Sequence, residues 1–346
     1  MLSSSRNIAI CSFIGVVTAA NISRSAPTST VPPGWTRVPS GVAVRPDCIH
    51  VVPNNSVVDL ESGTVTLNGS KIAQHSACPE QPVRPKGNAA AQQGTPPGNY
   101  YGWVEAAQEQ LNLSNPNNIS HLSAWWNVPP APVPPSGDNP IIYIWPGIQS
   151  DQCLHPNFGC EVLQPVLAWG SAYICPTGGS CAWYGGNYWW IASWAVGDYG
   201  TWLSQPQQVS VGDWLIGSVI TTSYNSQTDQ TAYAILAQDI INNNNSGFSI
   251  VSAGITWDWA FAGVLEVWQI NQCSDFPPSQ YWSGEPTYSE FEHIFLETNY
   301  PNNNIATGTW SAWYPIFYNG PDCGFTPYAF SNNSGSYWND LTWMHP

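Results

Sequence analysis

Short runs of β-branched and aromatic residues, separated by Gly, Pro, Asn and Ser, fill the chain beyond Tyr100. Runs of this length and composition are typical of strands, along which side chains alternate between two faces. We predict strands over Ile141 to Trp145, Val162 to Trp169, Tyr188 to Val196, Gln208 to Val211, Trp214 to Thr222, Thr231 to Ala237, Ala260 to Ile270, Glu292 to Glu297 and Trp310 to Tyr318. No interval between them has a regular helical pattern. The predicted fold class is therefore all-β, an antiparallel sandwich or barrel.

Several shorter segments have predictable local structure. Val104 to Leu111 alone favours a helix, and Val211 to Trp214 favours a hairpin turn between two strands. In the N-terminal part, Val42 to Val44 and Val57 to Leu67 alternate and predict short strands. The surface loops that we predict include Asn242 to Asn245 and the proline-rich stretch Val128 to Pro140.

Charge divides the chain into two parts. All seven Lys and Arg lie at or before Lys86, whereas 18 of the 22 Asp and Glu lie after it. A formal net charge of −15 without a basic patch cannot neutralise a phosphate backbone, so nucleic acid is excluded as a partner, and an anionic membrane surface is disfavoured likewise. The hydrophobic share of 43% is too high for a disordered chain. We interpret the two parts as two functional units.

The N-terminal residues predict a secreted precursor. Residues 1–20 have the pattern of a signal peptide, because Ile8 to Val17 is apolar but too short to span a bilayer and small residues follow it. Residues 21–98 are predicted to be a basic pro-segment with a linker, and residues 99–346 an acidic β-sandwich domain. We place processing between Lys86 and Asn99. The alternative is an N-terminal subdomain that stays attached.

Cysteines and glycosylation motifs agree with a secreted, extracellular protein. Loss of the signal would leave eight cysteines, and an even number in a secreted chain suggests disulfides. Proximity favours the pairs Cys48–Cys78, Cys153–Cys160, Cys175–Cys181 and Cys273–Cys323. Asn-X-Ser/Thr motifs include those that begin at Asn54, Asn68, Asn112, Asn118, Asn244 and Asn332.

Two predicted strands carry a polar residue amid apolar neighbours. Gln164 shares a strand face with Val162 and Val166, and Glu266 shares a face with Val264 and Trp268. A buried amide or carboxyl must find hydrogen-bond partners or serve a function. The two residues are therefore candidates for chemistry, and the alternative is that each is a hydrogen-bonded sheet residue at the solvent face.

A series of short motifs surrounds both residues and resembles one group of enzymes. In chain order these are Ile144-Trp-Pro-Gly-Ile-Gln149, Val162-Leu-Gln-Pro-Val166 continuing to Trp169, Trp190-Ile-Ala-Ser-Trp194, Val211-Gly-Asp213 and Leu265-Glu-Val267. The series is similar to the glutamic peptidases, namely the fungal eqolisin family and the related neprosin-like family. The similarity spans roughly residues 120 to 275, and the order of the motifs is more specific than any one of them.

The resemblance implies a fold and an activity. Eqolisins are concanavalin-like sandwiches of two antiparallel, seven-stranded sheets, and the Gln and Glu of their catalytic pair match Gln164 and Glu266. Neprosin-like enzymes have Glu at the first position, so this chain is more similar to the eqolisins there. The activity that the resemblance implies is that of an endopeptidase that works at acid pH, is insensitive to pepstatin, and needs no metal or cofactor.

The chemistry of such a pair can be derived from its groups. An ionised Glu266 would take a proton from water as that water attacks the scissile carbonyl, and the Gln164 amide would donate a hydrogen bond to the developing oxyanion. The substrate-binding residues that we predict are Trp145, Gln149, Trp169, Trp194 and Trp268. Eqolisins carry acids where Gln149 and Ala168 stand, so the surroundings of the pair differ.

Other functions use some of the same residues. Glu161 paired with Glu266 would suit a glycoside hydrolase with tryptophan platforms for sugar rings. A noncatalytic carbohydrate-binding sandwich is the further alternative, since every Trp except Trp35 lies after residue 86. A zinc site has little support because His121, His155, His293 and His345 are scattered, without a His-x-x-x-His pair.

The charge split also predicts regulation. Carboxylates without a neighbouring cation repel each other when ionised, so the acidic domain should lose stability from acid toward neutral pH. The basic pro-segment would supply cations and cover the cleft until acid releases it. We therefore expect a monomeric zymogen whose partners are peptide substrates and its own inhibitory propeptide.

Overall fold

The structure of the protein is a computed structural model. It describes residues 31–80, 82–83, 100–111, 118–134, 139–150, 161–176, 180–198, 200–278, 280–282, 285–298, 304–305, 311–313, 326–331 and 339–344. The predicted signal peptide, the predicted processing site and the cysteines 153, 160 and 323 lie outside these residues.

Almost all regular structure in the described residues is β-strand. Single turns of 3-10 helix lie at Pro46–Cys48 and Cys273–Asp275. The strands are β1 (Thr36–Val38), β2 (Val42–Val44), β3 (Ile49–Val52), β4 (Val57–Asp59), β5 (Thr64–Leu67), β6 (Ser70–Gln74), β7 (Tyr100–Gln110), β8 (Ile119–Asn127), β9 (Ile141–Ser150), β10 (Glu161–Pro176), β11 (Ala182–Gly197), β12 (Gly200–Ser204), β13 (Gln207–Gln208), β14 (Trp214–Asn225), β15 (Gln230–Asp239), β16 (Asn244–Ala253), β17 (Trp257–Ile270), β18 (Gln280–Trp282), β19 (Glu285–Thr298), β20 (Asn304–Ile305), β21 (Ser311–Trp313), β22 (Thr326–Ser331) and β23 (Asn339–Met344).

Two large sheets pack face to face. Sheet I has the strand order β13-β11-β12-β3-β10-β9-β17-β7-β21, with a further pairing of β10 to β11. Sheet II has the order β22-β23-β19-β8-β14-β15-β16-β4-β5-β6, with β18 and β20 paired to β19. The all-β sandwich is confirmed. Strands after Pro277 extend both sheets, because β19 pairs with β8 and β21 with β7.

The strands of sheet I have two buried faces. Leu163, Leu167 and Ile144 point towards sheet II and join the core between the sheets. Val162, Val166 and their neighbours point the other way, to what we call the outer face, which carries a second apolar cluster. This second cluster includes Val38, Val42 and Val44 of the N-terminal segment, so that segment covers the outer face.

The N-terminal segment, residues 31–83, is woven into both sheets. Strand β3 runs parallel to β12 over four residue pairs and also meets the end of β10. Strand β4 runs parallel to β16 and continues into the β5–β6 hairpin. The expectation of purely antiparallel sheets is wrong at these two places, because both parallel strands are supplied by this segment.

Three local predictions are also corrected. Val104 to Leu111 is not a helix, because residues up to Gln110 form β7 between β17 and β21. The turn at Val211 to Trp214 exists, but it leads from β13 of sheet I to β14 of sheet II and therefore closes no hairpin. Asn244 and Asn245 begin strand β16 instead of ending a loop.

The covalent predictions are tested in part. Cys48–Cys78 and Cys175–Cys181 form disulfides, as predicted, and Cys273 is disulfide-bonded as well. Asn118 is buried and its side-chain oxygen accepts a hydrogen bond from Trp257 N, so this motif is not open to glycosylation in the folded chain. Among the described residues, no helix has the length and apolar character needed to cross a membrane.

Candidate active site on the outer face of sheet I

Gln164 and Glu266 lie on the same face of the same sheet. Gln164 is on β10 with Val162 and Val166 beside it, and Glu266 is on β17 beside Val264, which is the alternation that the sequence predicts. Strand β9 lies between β10 and β17, so the two strands are about 10 Å apart across the sheet. Gln164 lies beside Gly147 of β9 and Glu266 lies opposite Tyr143, so the two residues are also offset by four residues, about 13 Å, along the strands. Both side chains are fully buried, at 0% exposure.

Trp145 on β9 lies between the two. Its indole Nε1 donates to Glu266 Oε2 at 3.4 Å. At its other end, the space that a Cβ atom of Gly147 would occupy is 3.3 Å from Trp145 Cε3 and 3.1 Å from the Gln164 Cβ. The same space is only 2.6 Å from the Leu163 carbonyl oxygen. A glycine at 147 therefore lets the Gln164 side chain and the indole lie close together.

The Glu266 carboxylate accepts four hydrogen bonds. Trp268 Nε1 donates to Oε1 at 3.1 Å, and Trp145 donates to Oε2. The other two donors are backbone amides of the N-terminal segment, Ser40 N at 2.7 Å from Oε2 and Gly41 N at 2.8 Å from Oε1. Burial raises the pKa of Glu266 to about 7, although all four hydrogen bonds favour the ionised form.

The two amides come from the tip of a small hairpin. Strands β1 and β2 pair up to Val38 and Val42, and Pro39 to Gly41 form the connection. Ser40 and Gly41 have φ angles of 86° and 75°. Successive amides in a turn can form a concave site for an anion, and here the anion is the side chain of Glu266. The hairpin tip therefore occupies the position that a ligand of Glu266 would need.

Gln164 contrasts with Glu266 because its amide is unpaired. Within the described part of the chain, neither Nε2 nor Oε1 has a hydrogen-bond partner. Its cross-strand neighbour on β11 is Trp194, whose indole N–H is also unpaired. A buried polar group without a partner costs about 1–3 kcal/mol, so an amide held in this state needs an explanation. A ligand carbonyl on the outer face would supply the missing acceptor.

Tyr143 is a site residue that sequence reasoning missed. It lies directly opposite Glu266 in the β9–β17 pairing, is fully buried, and donates its hydroxyl to the carbonyl oxygen of Arg37 at 3.2 Å. Burial raises the pKa of Tyr143, and the nearby Glu266 carboxylate raises it further, so the hydroxyl stays protonated. Its position two residues before Trp145, on the same strand face, is the signal that could have revealed it.

Four of the five predicted substrate-binding residues share the outer face. Trp145, Trp194 and Trp268 belong to its apolar cluster, and Gln149 pairs with Val162 of that cluster. Trp169 does not belong to it. Trp169 points into the core between the sheets and packs against Trp189 with ring centroids 5.3 Å apart. An odd-numbered residue of β10 faces away from Gln164, so Trp169 cannot contact a ligand that Gln164 binds.

The same alternation places Glu161 and Glu266, the alternative glycosidase pair, on opposite faces of sheet I. Glu161 is buried and points to the sheet II side of β10, whereas Glu266 points to the outer face. Two carboxyls on opposite faces cannot flank one glycosidic bond. The alternative prediction of a Glu161/Glu266 hydrolase is therefore wrong. Carbohydrate binding stays a prediction, although Trp126, Trp189, Trp202 and Trp257 are fully buried in the core between the sheets.

The described residues hold no group of three or more His, Cys, Asp and Glu side chains that could bind a metal ion.

Comparison with known proteins gave structural matches only. No family model matches the chain, and no curated protein does. Its structure is similar to that of scytalidoglutamic peptidase with a peptide-based transition-state analogue, at 14% identity and a TM-score of 0.37, over 71% of this chain and 100% of that one. It is also similar to SCP-B, a member of the eqolisin family of peptidases, in complex with the tripeptide Ala-Ile-His, at 13% identity and a TM-score of 0.37, over 72% of this chain and 100% of that one. Likeness at this level carries no conclusion about activity.

Proposed function

We propose that the protein is a secreted acid endopeptidase of the glutamic type, made in a latent form, with Glu266 and Gln164 as its catalytic pair. One observation carries the proposal. A stretch of peptide, the β1–β2 hairpin, already lies across the outer face with its backbone amides bound to the carboxylate that would act on a substrate. A face that binds the backbone of one peptide segment suits other peptide segments once the hairpin moves.

With the hairpin displaced, Glu266 would regain contact with water while the indole donors of Trp145 and Trp268 remain. Contact with water lowers the pKa of the carboxyl from its value in the covered state, whereas loss of the Ser40 and Gly41 hydrogen bonds raises it. Burial is the largest cause of the raised pKa, so exposure to water should lower it on balance and allow ionisation in acid. An ionised Glu266 would then accept a proton from the attacking water and return it to the leaving amine.

The unpaired amide of Gln164 completes this scheme. Its N–H would donate to the carbonyl oxygen of the scissile bond as negative charge develops there. The donor is buried and has no partner among the described residues that must be displaced first, so little reorganisation is needed when the substrate arrives.

Latency would result from occupation of the pair. The hairpin tip leaves no room for water at Glu266, since Ser40 N and Gly41 N bind its two oxygens. Cleavage between Lys86 and Asn99 would leave β3 to β6 paired within the sheets. We therefore propose that activation requires displacement of the hairpin, whether or not the whole of residues 21–98 is released.

The deciding experiment measures cleavage of a denatured protein by acid-treated full-length chain, from acid to neutral pH and in the presence of pepstatin. Glu266→Gln should reduce kcat at least about 100-fold because it removes the general base, and Gln164→Met should reduce it by a similar factor because it removes the oxyanion donor. Glu161→Gln is the matched control, since it alters a buried carboxyl of the same sheet on the opposite face. Absence of pepstatin-resistant cleavage by the folded wild type, or equal activity of Glu266→Gln, would refute the proposal.

A further inference from the structure

The hydroxyl of Tyr143 donates a hydrogen bond to the backbone of the β1–β2 hairpin, which packs on sheet I without being one of its strands. Its acceptor is the carbonyl oxygen of Arg37 in β1, at 3.2 Å. Tyr143 itself belongs to β9, in the middle of sheet I, and is paired with Glu266. When the hairpin moves to expose Glu266, this contact must break as well, because Arg37 lies three residues before Ser40.

A second buried tyrosine shows what a structural hydroxyl is like in this fold. Tyr233 is also fully buried and donates to a backbone carbonyl, that of Ile119, at 2.8 Å. Tyr233 and Ile119 both lie on strands of sheet II, and the Tyr233 ring lies in the core between the sheets. The hydrogen bond of Tyr233 is therefore independent of the hairpin, whereas that of Tyr143 lasts only while the outer face is covered.

We propose that Tyr143 is a substrate-positioning residue, whose hydroxyl binds a main-chain carbonyl of the peptide substrate at the place that Arg37 O occupies in the latent chain. The inference rests on the proposed function and adds an anchor point to it. Every peptide has main-chain carbonyls, so a hydroxyl that hydrogen-bonds only to such a carbonyl would bind peptides whatever their side chains. Bound next to Glu266, it would fix the peptide backbone relative to the pair.

If Tyr143 is such an anchor, removing its hydroxyl should hinder the active enzyme but make activation of the latent chain easier. Loss of the hydroxyl should weaken substrate binding in the active enzyme. It should also weaken attachment of the hairpin in the latent chain, because the same hydroxyl donates a hydrogen bond to the Arg37 carbonyl oxygen. A purely structural hydroxyl would do neither, and would change only the stability of the fold.

The test compares Tyr143→Phe with Tyr233→Phe in the full-length chain. After acid treatment, Tyr143→Phe should raise KM for a peptide substrate about 5-fold with kcat unchanged, which corresponds to one hydrogen bond of about 1 kcal/mol. It should also shorten the lag before activity appears. Tyr233→Phe should change the thermal midpoint but neither KM nor the lag.

The outcomes separate the two proposals. Unchanged KM in Tyr143→Phe, or a loss confined to kcat, would overturn the anchor while leaving the peptidase intact. No cleavage by the wild type would overturn the proposed function and the anchor with it. Should Tyr143→Phe fail to fold, a synthetic peptide of residues 31–44 serves as the inhibitor of the wild type. A thioamide in place of the Arg37 carbonyl should weaken its inhibition several-fold, and equal inhibition by both peptides would contradict the anchor.

Discussion

Gly147 is the residue that lets Gln164 and the Trp145 indole share the outer face. A methyl group there would lie 2.6 Å from the Leu163 carbonyl oxygen, and backbone cannot yield as a flexible side chain does. We expect Gly147→Ala to lower the thermal midpoint and, by shifting Gln164, to reduce kcat at least about 10-fold. Gly217→Ala is the control, because its methyl group would clash with Pro165 Cγ at 2.6 Å inside the core between the sheets. A similar loss of kcat in both variants at a temperature where both are folded would show that Gly147 has no special role.

Glu266 should leave a mark on stability as well as on activity. Its folded-state pKa of about 7 lies above the ordinary 4.5. A raised carboxyl pKa stabilises the fold below the unfolded value, and the contribution is lost as pH rises through 7. The full effect is on the order of 3 kcal/mol. We expect the free energy of unfolding of the wild type, minus that of Glu266→Gln, to fall between about pH 4.5 and 7. A difference that is flat over this range would contradict the burial of Glu266 in the latent chain.

At the scale of elements, the β1–β2 hairpin acts through its backbone. Replacing Gly41 by Pro removes the N–H that binds Glu266 Oε1 and imposes a negative φ where the chain has 75°. We expect Gly41→Pro to be active at once on transfer to assay conditions, without an acid-dependent lag. Gly34→Pro is the matched control, since Gly34 also has a positive φ in the N-terminal segment, at 79°, with open space around it. An equal lag in Gly41→Pro and the wild type would mean that the tip does not cause latency.

Acid release of this segment cannot be driven by Glu266. Its pKa is raised in the covered state, so protonation favours that state. His50 on β3 and His75 after β6 have lowered pKa values, so their protonation destabilises the docked segment instead of favouring it. Their rings lie 3.9 Å apart and both contact Trp202 of β12.

Burial and the neighbouring His75 together lower the pKa of His50 to about 4, against the opposing effect of Asp47, and burial lowers the pKa of His75. The attachment of the segment should therefore be complete above about pH 6.5 and weaken as pH falls towards 4. We expect His50→Phe, which keeps a ring against Trp202, to activate several-fold more slowly at pH 4 than the wild type. An unchanged activation rate would exclude the histidine pair as the acid sensor.

The strands of sheet I were predictable because they are runs of β-branched and aromatic residues bounded by Gly, Pro, Asn and Ser. Alternation gave the face of each of Gln164 and Glu266 within its own strand, whereas only the family resemblance implied that the two share a site. The helix predicted over Val104 to Leu111 failed because Val, Ala and Leu suit either structure, and pairing with β17 and β21 decided the outcome. Strand β16 was missed because its buried positions include Ser246 and Ser252. The amides of the hairpin tip could not be predicted at all, since a backbone N–H leaves no trace in residue type.

At the scale of the whole molecule, the unequal distribution of charge governs how stability depends on pH. From Gly87 onward the chain has 18 carboxyls and no Lys or Arg, and the few bases of the N-terminal segment are partly used within it, as Arg45 pairs with Asp47 and Glu80. Burial also raises the pKa of Glu109. Raised carboxyl pKa values stabilise the fold in acid and lose this effect towards neutral pH, whereas the two histidines act in the opposite direction.

Because the carboxyls far outnumber the histidines, we expect the thermal midpoint of the full-length chain to be higher near pH 4.5 than at pH 7.5. Repulsion among exposed carboxylates is screened by salt, since the Debye length falls to about 3 Å at 1 M. Added salt should therefore raise the midpoint at pH 7.5 more than at pH 4.5, and the remaining difference would report buried groups such as Glu266. A midpoint that rises from pH 4.5 to 7.5 in low salt would contradict this expectation. It would show that the docked N-terminal segment neutralises enough of the acidic part to cancel the repulsion between its carboxylates.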